Sequence, residues 1–255
     1  MERINSKHNQ QIKAVKKLTT TKGRKQAQQY LLESWHLVQA ALEAVPAADV
    51  VMIYATDDQY LEHGADLTGR PVTLISTAVA QELGETMTPQ GIFLVCKLPN
   101  PAQTPDYRGA WLLLDQVQDP GNIGTMVRTA DAAGFSGVAF GKGTASPFNG
   151  KVLRAMQGSQ FHLQMVETDL EELVVQFHDH QRPVYGTELN PQAVNYREVQ
   201  PQTDFALIMG NEGNGMDPTL LQQTTKNLYI PITGQAESLN VAIAAAVIMF
   251  RIKAN

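Results

Sequence analysis

From Ala110 onward, apolar runs of strand length alternate with segments of helical period, and this alternation narrows the possible folds more than anything else in the chain. AWLLLDQV, SGVAFG, HLQMV, PVYGTE, DFALIMG and NLYIP read as short buried strands; IGTMVRTADAAGF and DLEELVVQFHDH read as helices between them. Strands buried on both faces and separated by helices predict a largely parallel sheet covered on both sides, an α/β domain. In such a sheet a small ligand binds beyond the carboxyl ends of the strands.

Three segments fall at predicted strand ends and carry short polar side chains with glycine. In Leu112–Arg128 (LLLDQVQDPGNIGTMVR), Asp119-Pro120-Gly121-Asn122 turns the chain sharply, with Asn122 read as the cap of the next helix and Arg128 within two turns of its start. In Leu207–Gly215 (LIMGNEGNG), glycines at 210, 213 and 215 let backbone approach a ligand closely, and Glu212 adds a carboxylate. That spacing, and its late position, differ from the G-x-G-x-x-G of a dinucleotide-binding first turn, which argues against a nicotinamide-dependent oxidoreductase. In Leu228–Val241 (LYIPITGQAESLNV), Ser238 reads as an N-cap, and Asn240 heads an alanine-rich apolar helix where its amide must find partners.

The amino-terminal 98 residues read as a smaller α/β module. QAQQYLLESWHLVQAALEAV has helical character, and VVMIYA, PVTLIS and GIFLVCKL read as strands. Three prolines in LPNPAQTPDYRG predict a linker over 99–108, leaving domains at 1–98 and 109–255. Charge is unevenly spread. Residues 1–25 hold eight Lys or Arg against one acid, net +7, while the remainder, 12 basic against 24 acidic, is −12. A basic patch on an acidic body predicts contact with a polyanion; the alternative is a solvated, frayed terminus.

Several classes are disfavoured. One cysteine, Cys96, excludes an intrachain disulfide and fits a reducing cytosol. The six histidines lack partners at ligand spacing, so no metal site is expected. The polar start lacks a signal-peptide core, and the longest apolar stretch, Leu239–Phe250, is too short to span a bilayer.

The order DPGNIGTMVRTADAAG, IMGNEGNGM, IPITGQAESLNVAIAAAVIMF resembles the three motifs of the SpoU/TrmH group of SPOUT RNA 2′-O-ribose methyltransferases. Spacing agrees, with Ile230 following Gly210 by 20 residues and Leu239 following Ile230 by nine. KGRKQAQQYLLESWHLVQAAL (Lys22–Leu42) is similar to the signature of the L30e-like RNA-binding domain that often precedes the catalytic one, with Ser34-Trp35 where glycine is usual. The resemblance implies a trefoil-knotted carboxyl-terminal domain that binds S-adenosylmethionine, a homodimer, and an RNA substrate, ribosomal RNA favoured over transfer RNA. It also implies cofactor contacts at Thr187, Gly210, Ile230 and Leu239, and catalytic polar positions at Asn122, Arg128, Glu212, Ser238 and Asn240. Glu212 is expected to orient Arg128 or Asn122.

Overall fold

The computed structural model describes residues 1–100 and 105–254; residues 101–104, inside the predicted linker, lie outside the described residues. The chain divides into two compact units, Met1–Gln103 with Phe148–Phe161, and Thr104–Pro147 with His162–Asn255.

The first unit contains β1 (Glu2–Ile4), α1 (Gln10–Lys17), α2 (Thr21–Ala27), β2 (Gln29–Glu33), α3 (Trp35–Ala44), β3 (Val50–Ala55), α4 (Asp57–His63), β4 (Val72–Ile75), α5 (Thr77–Leu83) and β5 (Ile92–Lys97). Its mixed sheet has the order β1-β4-β3-β5-β2. The strands expected around VVMIYA, PVTLIS and GIFLVCKL are present as β3, β4 and β5.

The helix-like reading of residues 26–45 needs correction. Gln28 takes a left-handed conformation that ends α2, and Gln29–Glu33 then pairs antiparallel with β5, from Gln29 against Lys97 to Glu33 against Phe93. Tyr30, Leu31 and Leu32 are all buried in that pairing. A short apolar run buried on both faces has no strand periodicity to set it apart from a helix.

Nor is the basic start a frayed tail. β1 pairs in parallel with β4, and Ile4, Ile12, Val15 and Leu18 join the core formed with Tyr54, Ile75, Leu83 and Phe93. Three of the eight cations are committed to the fold. Arg3 forms a fork with Asp57 (Nη1 to Oδ2 2.9 Å), Lys16 Nζ donates to the Gly84 carbonyl at 3.4 Å, and buried Arg24 donates to the Leu18 and Thr19 carbonyls. Lys7, Lys13, Lys17, Lys22 and Lys25 remain exposed.

The chain continues as β6 (Ala110–Leu114), α6 (Pro120–Ala132), β7 (Gly137–Phe140), α7 (Gly150–Met156), β8 (Gln164–Glu167), α8 (Leu170–Asp179), β9 (Val184–Thr187), β10 (Val194–Asn195), β11 (Phe205–Met209), α9 (Pro218–Gln222), β12 (Lys226–Tyr229) and α10 (Val241–Ile252). α7 belongs to the first unit. The second unit is built on a sheet of order β10-β12-β9-β11-β6-β7-β8, every pairing parallel. All six strands read from the sequence are there. β10 is only two residues long and gave no periodic signal.

Central β6 and β11 are buried at every residue, which is why they read as unbroken apolar runs. Trp111, Leu113, Ala206 and Ile208 pack on one face with Leu170, Leu173, Phe177 and Leu220 of α8 and α9. Alternation turns Leu112, Leu114 and Leu207 to the other face. There α6 and α10 pack together, with Ile123, Met126 and Val127 buried on one and Ala245, Ile248 and Met249 on the other. Both faces are thus covered, and the carboxyl edge is left to the loops.

Candidate active site

Strand order brings the scattered sequence segments to one edge. β12, β9, β11 and β6 are consecutive neighbours, all parallel. Their carboxyl ends deliver Ile230 just beyond β12, Thr187 at the end of β9, Gly210 just beyond β11, and the loop to Asn122 beyond β6.

The loop after β6 is set by its own residues. Asp119 caps α6, its Oδ1 accepting from Asn122 N at 2.7 Å, and Pro120 occupies the first helical position. The cap is therefore Asp119 and not Asn122, which frees the Asn122 side chain. Its Nδ2 donates to Glu212 Oε1 at 3.1 Å. The same carboxylate accepts from Asp119 N at 3.2 Å and, through Oε2, from Gln118 N at 3.4 Å. Burial by itself pushes the Glu212 carboxyl up, but hydrogen bonds from Asn122 and from the Glu212, Asp119 and Gln118 backbone outweigh it and hold the group below the usual glutamate range.

Asn240 is the N-cap of α10, not Ser238. Its Oδ1 accepts from Ala242 N at 2.9 Å and Ile243 N at 3.3 Å, and its Nδ2 donates to Asn122 Oδ1 at 2.9 Å. This chain of bonds has one sense only. The Asn240 oxygen must face helix N–H groups, so its NH₂ faces Asn122, so the Asn122 NH₂ faces the carboxylate. Each NH₂ keeps one hydrogen uncommitted.

Two expected residues stand outside the network. Ser238 is exposed and forms no hydrogen bond among the described residues. Arg128 is likewise exposed and unpaired among the described residues. It lies six residues beyond Asn122, about 9 Å along the helix and on another face of it. Of the two partners expected for Glu212, the structure gives Asn122.

The loop after β11 is fastened by residues that sequence reasoning missed. Asn211 Oδ1 accepts from the Gly213 and Asn214 amides, both at 3.0 Å, and its Nδ2 donates to the Gln116 carbonyl at 2.8 Å. Buried Asp115 accepts from Asp217 N at 2.6 Å. Burial pushes the Asp115 carboxyl up, with the Asp217 N–H and Gln116 opposing. Its signal was present in LLLD, a carboxylate closing a wholly apolar strand, which must be satisfied when buried. At Gly210 a Cβ would stand 2.5 Å from Gly215 C and Met216 N, so only glycine lets the loop fold back this tightly.

The remaining expected positions lie along the same edge. Thr187 Oγ1 donates to the Ile208 carbonyl at 2.8 Å, fixing the end of β9 against β11. Residues 231–240 are all exposed, Ile232 and Leu239 among them, and among the described residues no backbone group of 231–239 pairs with another. Among the described residues no group of three or more His, Cys, Asp or Glu is placed to hold a metal ion, and no helix is long and apolar enough to cross a membrane.

An α/β unit with polar groups convergent at the carboxyl edge of a parallel sheet is the architecture of a ligand-binding enzyme domain. The chain belongs to the SpoU rRNA methylase family, which residues 109–250 match, and residues 9–94 match the MRM3-like substrate binding domain. It is 42% identical over 253 residues, 99% of this chain and 100% of the relative, to the 23S rRNA (guanosine(2553)-2′-O)-methyltransferase RlmP of Bacillus subtilis strain 168. The structure of an AdoMet-bound rRNA methyltransferase from Sinorhizobium meliloti superposes with a TM-score of 0.85 at 28% identity, covering 98% of this chain and 97% of that one. A TrmH-family RNA methyltransferase structure from Porphyromonas gingivalis, described as putative, gives 0.85 at 30% identity over 95% and 96%.

Proposed function

We propose that this chain transfers a methyl group from S-adenosylmethionine to a ribose 2′-hydroxyl of ribosomal RNA, with 23S rRNA as the substrate. The observation that carries the reading is the one-way hydrogen-bond chain from Asn240 through Asn122 to Glu212, standing between the ends of β11 and β6. Family membership, the RlmP relative and the AdoMet-bound neighbour supply the chemistry.

When bound, S-adenosylmethionine supplies a methyl group activated on a sulfonium, whose leaving group is a neutral thioether. Thr187, Gly210, Ile230 and Leu239 hold it, the glycine by permitting close backbone approach and the two apolar residues as a wall. The knotted arrangement of these loops comes with the family. The uncommitted N–H groups of Asn122 and Asn240 position the ribose, and ionised Glu212 keeps the Asn122 amide turned the right way. Arg128 grips the adjacent phosphate through its guanidinium fork and stabilises negative charge developing on the ribose oxygen. Ser238 contributes an uncommitted hydroxyl from the loop between β12 and α10.

The active form is a homodimer in the cytoplasm. Ile243 and Phe250, 51% and 62% exposed, lie seven residues apart and so on one face of α10; a second copy covers this apolar face. The test uses tritiated cofactor with unmodified 23S rRNA, 16S rRNA and transfer RNA. Label in 23S rRNA at a ribose is expected; label in transfer RNA alone refutes the substrate assignment, and RNA binding without label refutes catalysis.

A further inference from the structure

The sheet order sets β7 beside β6, next to the catalytic cluster. Along the carboxyl edge, β12, β9 and β11 end at the positions assigned to the cofactor, β6 follows with Asp119 and Asn122, and β7 comes next. On that reading, the side of Asn122 away from the cofactor positions is the side of β7. β7 lies one strand spacing, about 4.8 Å, beyond β6.

At that point the chain makes a tight turn, Gly141-Lys142-Gly143-Thr144. Gly141 N and Thr144 Oγ1 both donate to the Leu114 carbonyl, at 2.9 and 2.8 Å; Ala145 N donates to Val117 O at 3.0 Å, and Thr144 N closes on Gly141 O at 3.1 Å. Gly143 has φ +87°, and a Cβ there would stand 3.1 Å from Gln116 Cγ, so the turn lies against the very loop that leads to Asn122. Lys142 sits at its tip, exposed and with no hydrogen bond or ion pair among the described residues. Asp119, Glu212 and Asp217 give the neighbouring loops an acidic character, so an approaching phosphate needs a cation here.

We propose that Lys142 contacts the RNA backbone, gripping a phosphate of a nucleotide that flanks the methyl acceptor. The inference rests on the methyl-transfer reading above. Its ligand is a phosphodiester of the substrate strand, held by a point charge, so the residue contributes affinity and strand placement without reading the base. The other end of the sheet provides a charge-matched comparison: exposed Lys226 opens β12 and so lies at the amino edge.

The experiment measures methyl transfer to a 23S rRNA transcript and RNA affinity across salt for the full chain and for Lys142→Ala, Lys142→Arg and Lys226→Ala. Lys142→Ala is expected to raise KM for RNA about fivefold, the scale of one exposed charge contact. It should also flatten the log-log salt slope by about 0.7 to 0.9. Lys142→Arg should restore both, Lys226→Ala should change neither, and cofactor affinity should be the same in all four. Unchanged KM and slope in Lys142→Ala overturn the proposal, as does an equal shift in Lys226→Ala or a loss confined to kcat. A wild-type chain that transfers no methyl group to any RNA overturns the underlying reading instead.

Discussion

Replacing Asn122 by aspartate exchanges one NH₂ for an oxygen and so tests the hydrogen-bond chain at its middle link. The new carboxylate can still accept from Asn240, but it faces Glu212 Oε1 across the 3.1 Å now bridged by an N–H. Two unit charges at that distance repel by about 1 kcal/mol at the dielectric of water and about 5 kcal/mol at an effective value of 20. Glu212 is exposed and Asn122 half-buried, so the lower part of that range applies. Adding part of a hydrogen bond to a charged group, about 1 kcal/mol here, gives a total of about 3 kcal/mol against the aligned geometry. Since each 1.4 kcal/mol is a factor of ten, methyl transfer at pH 7.5 should fall by about 10².

The pH dependence gives the sharper test. In the wild type the Glu212 carboxyl is held below its ordinary value of 4.5, so its contribution is fully present above that value and lost only as pH falls through the lowered one. In Asn122→Asp the two carboxyls share a site, and one of them must have a raised pKa. Lowering the pH from 8.5 to 5.5 then moves toward protonating that group, which restores a donor where the amide had been. The ratio of variant to wild-type rate, measured by tritium incorporation into 23S rRNA, should rise by about tenfold over this range. A flat ratio, or a variant as active as wild type at neutral pH with the same melting temperature, would refute the network as the positioning device.

Other outcomes follow from the same geometry. Arg128→Ala should leave the melting temperature and calorimetric cofactor binding unchanged, because the exposed guanidinium has no partner among the described residues, yet reduce transfer by about 10². Leu239→Asp, at a position 39% exposed, should keep the fold and abolish cofactor binding in the same calorimeter. For the basic start, deleting residues 1–25 would remove β1 and four core residues, so RNA binding is better tested by substitution. Lys13, Lys17, Lys22 and Lys25 changed together to Gln should weaken RNA affinity and flatten its salt slope by about 0.7 to 0.9 for each phosphate no longer neutralised. An unaltered slope would make the patch a solvated face only.

The candidate site was legible to different depths. DPGN, GNEGNG and SLN announced themselves because turns, close backbone approach and helix starts need those residue types locally. The exchange of capping roles was not legible. Asn122 and Ser238 are sound caps by composition, and only the backbone geometry at Asp119 and Asn240 shows where each helix begins. The strand at Gln29–Glu33 was hidden for a related reason, since its conformation is decided by pairing with a segment about 60 residues or more away.

Sequence alone determined the alternation of strands and helices, the parallel character of the second unit's sheet, the residue types at its strand ends and the family motifs. These depend on hydrophobic period and local backbone preference, which act over a few residues. Tertiary structure decided the strand order that sets β11 beside β6 and β9 between β11 and β12. It thereby decided that Glu212 meets Asn122 rather than Arg128, and that Lys142 stands next in line. The reason is physical: a hydrogen bond between residues 90 positions apart is specified by packing of the whole sheet, and no short-range pattern encodes it.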